Sequence, residues 1–178
     1  MKTRLIIMIA LLMPVALYAQ ETKKNKESKS EKALRIEREY MATEKLIDSS
    51  TFILSADFLS NNRGYRVMAE PLLNFIKLDS SQVVVQTGNN SGFGYNGVGG
   101  LTIQGKLTEK IVKKDLPHKS FMVRMSISSY LGHYDVFMNI TASGKAYATL
   151  SGNYRGKLTF EGRLYPLKGA RAFQGSNL

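Results

Sequence analysis

Phe121-Met122-Val123-Arg124-Met125-Ser126-Ile127-Ser128, followed after a short turn by Tyr134-Asp135-Val136-Phe137-Met138-Asn139-Ile140-Thr141, is the stretch that decides the fold. Successive side chains of a strand point to opposite sides. Phe121, Val123, Met125 and Ile127 therefore share one face, and Met122, Arg124, Ser126 and Ser128 the other. The second run repeats the arrangement, with Tyr134, Val136, Met138 and Ile140 on the apolar face. A helix would need apolar residues three and four apart. The two runs read as half-buried strands joined through Ser129 to His133, an antiparallel hairpin.

The same period continues in both directions. Ser143-Gly144-Lys145 turns the chain into Ala146 to Leu150, and Asn153 to Gly156 turns it into Lys157 to Leu164. After Pro166 no period is visible, and the end is expected to fray. Upstream, Thr51 to Phe58 alternates, with Phe52, Leu54, Ala56 and Phe58 on one face. Asn61-Asn62-Arg63-Gly64 is a turn signal before a short strand at Tyr65 to Met68. Leu73 to Leu78 and Val83 to Thr87 flank the polar turn Asp79-Ser80-Ser81-Gln82. A Gly- and Asn-rich loop, Gly88 to Gly100, leads to strands at Leu101 to Gln104 and Leu107 to Val112. These make roughly eight or nine short strands. No helical stretch separates them, which excludes parallel crossovers. A mainly β fold is expected: an antiparallel meander that closes into a lipocalin-like barrel, with a β-sandwich as the alternative. An eight-stranded barrel has room inside for packed side chains or one small ligand.

Ahead of the strands the chain changes character twice. Lys2 and Arg4, an apolar run from Leu5 to Val15, and a small residue at Ala19 form the three-part pattern of a signal peptide over residues 1–19. The run is too short for a membrane span, which takes ~20 apolar residues. Cleavage would remove two of the charges behind the net +11. Residues 20–29 hold no apolar side chain and read as a flexible polar lead. A helix is expected over 30–48, with a capping box at Ser28 and Glu31. Its apolar stripe is Ala33, Ile36, Tyr40 and Ile47, with Leu34 and Met41 beside it. The antiparallel β domain then occupies 50–165, and 166–178 is a C-terminal tail.

Composition narrows the chemistry. The chain of 178 residues has no cysteine, which excludes disulfides, thiolate metal sites, thiol catalysis and a lipid on an N-terminal Cys. Its two histidines, His118 and His133, are too few for a multi-histidine metal site.

The segment from about Thr51 to Leu164 resembles domain-of-unknown-function family 4251, exported proteins of Bacteroides-type bacteria. The resemblance rests on Phe52 to Phe58, on Tyr95-Asn96-Gly97-Val98-Gly99-Gly100-Leu101-Thr102-Ile103, on Tyr134 to Leu150 with Ser143-Gly144, and on Gly156-Lys157-Leu158-Thr159-Phe160-Glu161-Gly162. It implies an exported, β-rich, lipocalin-like barrel, and it carries no reaction and no functional residues.

Function has to be weighed from small signals. Gly92-Phe93-Gly94-Tyr95-Asn96-Gly97 is a literal G-x-G-x-x-G, but a strand follows where a dinucleotide site needs a helix, so no cofactor is expected. Phe93 and Tyr95 are read instead as aromatic tips that touch a partner or rim a pocket, together with Tyr130 and His133. Lys106, Lys110, Lys113, Lys114, His118 and Lys119 form a basic stretch. It lacks the interleaved aromatics that stack bases. With export, that argues against nucleic acid and leaves anionic surfaces, or an edge guarded by lysine. Ser129, His133 and Asp135 would be the members of a hydrolytic relay, though proximity in sequence is poor support for a triad. The expected function is a non-enzymatic exported barrel-like domain that binds a small apolar ligand or an envelope partner. The alternatives are an envelope interaction protein acting through the helix and basic face, and a hydrolase with an unrecognised site. No membrane span is expected after signal cleavage, and a periplasmic or extracellular location is.

Overall fold

The computed structural model describes residues 28–89, 98–152 and 156–176. The expected signal peptide and most of the polar lead lie outside them, as do Phe93 and Tyr95. A helix, α1 (Lys29–Asp48), precedes nine strands. These are β1 (Thr51–Asn61), β2 (Arg66–Met68), β3 (Phe75–Asp79), β4 (Gln82–Thr87), β5 (Leu101–Asp115), β6 (Ser120–Ser129), β7 (Gly132–Thr141), β8 (Lys145–Gly152) and β9 (Leu158–Pro166).

The chain divides into units 1–33 and 34–178. The described part of the first starts α1. There the Ser28 N–H donates to the Glu31 carboxylate at 2.9 Å, and the Glu31 N–H donates to Ser28 Oγ at 3.2 Å. This reciprocal bonding satisfies two N–H groups that a helix start leaves without partners. It also holds the Glu31 carboxyl below its ordinary pKa.

In the second unit β1, β3, β4, β5, β6, β7, β8 and β9 pair in that order, all antiparallel, and β9 returns to β1. Eight strands thus close a barrel, the expected one of the two β folds. The short β2 pairs with Phe58, Leu59 and Ser60, on the same side of β1 as β3, which takes Thr51 to Ser55. It is a flap on the barrel, outside the ring of strands. The closing seam is tight: a Cβ at Gly162 would collide with the Ser55 carbonyl oxygen.

Two bulges alter the faces read from alternation. In β1 the register against β9 shifts between Ala56 and Phe58. Leu59 therefore joins the core, and Phe58 is turned out beneath the Arg66 guanidinium, 3.3 Å from its ring centroid. In β5 the shift falls between Leu107 and Glu109, so the two short strands expected there are one 15-residue strand. A bulge adds one residue to one side of a ladder and exchanges the faces beyond it.

The inward side chains are buried within the barrel. Phe52, Leu54, Ile76, Leu78, Phe121, Met125, Ile127, Met138 and Phe160 are each at most 1% exposed and form one cluster. α1 lies against it with Tyr40, Thr43 and Ile47 buried. The Tyr40 ring stacks on Phe121 with centroids 4.6 Å apart, and Thr43 Oγ1 donates to the Ala142 carbonyl at 2.7 Å. The buried stripe is Ile36, Tyr40, Thr43 and Ile47; Leu34 and Met41 are 59% and 57% exposed, and Ala33 is exposed.

The described part of the C-terminal segment, residues 167–176, does not fray. Leu167 and Ala170 cover a second, outer cluster of Ile53, Phe75 and Val84. Frayed ends lack partners; here the outward faces of β1, β3 and β4 are apolar and need a cover, a requirement invisible in the tail's own sequence.

Candidate functional site

α1 and the barrel's far end divide the molecule. Lys119, just ahead of β6, pairs with Glu37 of α1 at 2.9 Å, and the other end of β6 carries Tyr130. The end remote from α1 is therefore where the β6–β7 turn and the ends of β1 and β8 meet the starts of β5 and β9. Leu59, Leu101, Leu131, Leu150 and Leu158, one from each of these places, are half-buried and rest on the core. Leucines at strand ends lose their cover where the barrel stops, so they floor this end with apolar surface.

Exposed side chains add to it. Tyr130 is 64% exposed in its turn, and the flap presents Tyr65, Val67 and Met68, the last 85% exposed. A hollow of about 430 Å³ lies between flap and barrel, lined by Leu59, Val67, Met68, Asn74 and Thr87 among others. The Arg66–Glu161 ion pair at 2.8 Å ties the flap to β9. Large apolar side chains grouped on one exposed surface mark contact sites more often than chance.

Tyr130 thus stands where a binding residue would be useful. His133 is exposed on the outer face of β7, where it lines a hollow of about 400 Å³ with Arg124, Ser126, Asp135 and Ser151. Phe93 and Tyr95 lie outside the described residues.

The imagined relay is not assembled. Ser129 Oγ is used in its own turn, donating to the Gly132 carbonyl and accepting the Leu131 N–H. The Asp135 carboxylate accepts Ser126 Oγ at 2.6 Å and is 3.4 Å from the Arg124 guanidinium. A serine hydroxyl donating straight to a carboxylate lacks the intervening imidazole that makes the nucleophile of a triad.

Three lysines of the basic stretch are engaged within the fold. Beyond the β5 bulge Lys110 and Lys114 occupy positions opposite the inward Met125 and Phe121. Lys110 Nζ donates to the Ile47 carbonyl at the end of α1 and to Ser50 Oγ at 2.7 Å. Burial pushes its pKa down, with Asp48 opposing. Lys114 bonds Glu44 at 2.6 Å, which holds its pKa up. With Lys119 on Glu37, three of the lysines fasten α1 to the barrel. The signal that would have shown this is the run of acids on the helix, Glu37, Glu44 and Asp48, at helical spacing. Asp115 accepts from His118 through both backbone N–H and ring, which draws its carboxyl pKa down.

Among the described residues no group of three or more His, Asp or Glu is placed to hold a metal ion. No described helix is long and apolar enough to cross a membrane.

Comparison with known proteins agrees with this architecture. The profile of a family described as a domain of unknown function, DUF4251, matches residues 34–164. A crystal structure of a DUF4251 family protein from Bacteroides eggerthii is similar in fold, with a TM-score of 0.62 at 22% identity. The similarity covers 75% of this chain and 91% of that one. No curated protein matches.

Proposed function

The chain belongs to the DUF4251 family, and from that premise we propose that it is an exported, non-enzymatic binding domain whose contact surface is the barrel end remote from α1. The observation that carries this reading is that exposed apolar side chains stand at two places around this one end, Tyr130 in the β6–β7 turn and Tyr65, Val67 and Met68 on the flap, with half-buried leucines between them and a core of buried side chains beneath. A packed core offers no place for a ligand without displacing side chains, which protein interiors resist. The occupant is accordingly an apolar surface of an envelope partner that rests on the end of the barrel.

A photo-crosslinking residue at Tyr130 or Met68, introduced in cells, tests the site. Adducts at both positions and none at Met41 are the expected result; equal labelling at Met41 sinks it. Export is tested separately, by the N-terminal sequence of the protein recovered from the envelope fraction. It is expected to begin at Gln20, and a retained Met1 in the cytoplasm argues against the signal-peptide assignment.

A further inference from the structure

The outer face of β1, β3, β4 and β5 carries the C-terminal segment and bonds to its backbone. Gln86 points outward from β4 yet is fully buried, and its carboxamide is fixed on two sides. Thr102 Oγ1 donates to its Oε1 at 3.0 Å, and its Nε2 donates to the Leu73 carbonyl at 3.1 Å. The remaining bonds go to the backbone of the C-terminal segment. Nε2 donates to the Phe173 carbonyl at 2.8 Å, and Oε1 accepts the Gly175 N–H at 2.8 Å. The Phe173 N–H donates to the Leu72 carbonyl at 2.9 Å. One buried amide on the face of the sheet thus offers the segment's backbone both a donor and an acceptor, the two groups a main-chain peptide needs met.

The segment fits this face incompletely. Leu167 and Ala170 sit on Ile53, Phe75 and Val84, but the largest apolar side chain, Phe173, is 62% exposed. A hollow of about 360 Å³ remains along the start of the segment, lined by Ser55, Asp57, Leu72, Lys168 and Arg171 among others. The face reads backbone, with little demand on side chains. The segment also lies beyond residue 164, where the family match ends. It enters through Gly169 at φ +86°, a single-residue turn after Pro166.

We propose that this face is a backbone-reading peptide groove, filled in cis by the chain's own C-terminal segment and open to the same segment of a second copy. Opening at Gly169 would let two copies exchange segments and keep every bond made in the monomer, the inexpensive route to a swapped dimer.

The test uses the full chain with a protease site inserted after Pro166, and a labelled peptide of residues 167–178 as probe. After cleavage and removal of the freed segment, the barrel should keep its circular dichroism and bind the peptide saturably. Gln86→Leu should weaken that binding by about tenfold or more. Because Gln86→Leu can disturb folding, a peptide N-methylated at Gly175 loses one of the two bonds to Gln86 with the protein untouched, and should weaken in the same direction by a smaller factor. Uncut chain at high concentration should form a dimer that the free peptide dissolves. A cleaved barrel that unfolds, or that stays folded and ignores the peptide, overturns the groove. Full-strength binding of the methylated peptide does the same. Rebinding with no dimer of the uncut chain overturns the second copy as occupant.

Discussion

Single residues here are decided by what surrounds them after folding. Tyr40 is the plainest case: its ring stacks on Phe121, while its buried hydroxyl has no hydrogen-bond partner among the described residues. A buried polar group without a partner costs about 1–3 kcal/mol. Tyr40→Phe should therefore leave stability unchanged or raise it by about 1 kcal/mol, measured by urea unfolding. Lys110 and Lys114 titrate in opposite directions because one is buried and the other is paired. The raised pKa of Lys114 means that its contribution is complete below the ordinary value of 10.5 and is lost as pH rises through the raised value. For Lys110 the lowered value reverses the sign: its contribution falls away as pH drops through the lowered pKa. Replacing Lys114 with Met should thus flatten the loss of stability on the alkaline side of 10.5 in urea midpoints taken across that range. An unchanged alkaline slope would assign the Glu44 contact no weight. None of this was legible in the sequence, where Lys110 and Lys114 look like any two lysines of a solvated run.

At the level of elements, the helix and most strands were readable and their seams were not. Capping box, helix span and the β6–β7 hairpin follow from local patterns, since caps and alternation are set by neighbours a few residues away. The stripe of α1 was read with Ala33 in place of Thr43. A threonine looks polar until its hydroxyl meets the Ala142 carbonyl and its methyl side is buried. Ile47→Ala, which empties a fully buried site, should cost about 2–5 kcal/mol, whereas Met41→Ala should stay within about 0.5 kcal/mol. Comparable losses at the two positions in thermal or urea unfolding would mean that the helix docks on another face. The bulges in β1 and β5 escaped notice for a related reason. An extra residue leaves alternation intact on each side and shifts only which side meets the partner strand, so its trace lies in the pairing with β9 and β6.

Over the whole molecule, the inward side chains of the barrel are buried, and the proposed reading makes the barrel a scaffold rather than a container. The native protein should show no uptake of lipophilic fluorescent probes and no bound small molecule in native mass spectrometry. Phe160→Ala, which opens space among fully buried side chains, should lose about 3–5 kcal/mol and gain probe binding. Probe binding by the native chain at similar strength would contradict the packed interior. Of the proposed contact end, Tyr130 could be found in advance, because an aromatic in a hairpin turn has nowhere to hide. The leucine floor could not, since Leu59, Leu101, Leu131, Leu150 and Leu158 come from five distant places that only barrel closure brings to one end. By itself the sequence determined that this chain is an antiparallel β domain with a capped helix ahead of it, because alternation and capping act over a few residues and are written in their order. The tertiary structure alone decided that the sheet closes β9 onto β1, that Lys110 and Lys114 of β5 bind the helix, and that Leu167 and Ala170 lie over β1, β3 and β4. Those outcomes rest on contacts between segments far apart in the chain, and burial and ion pairing at such range exist only once the barrel has formed.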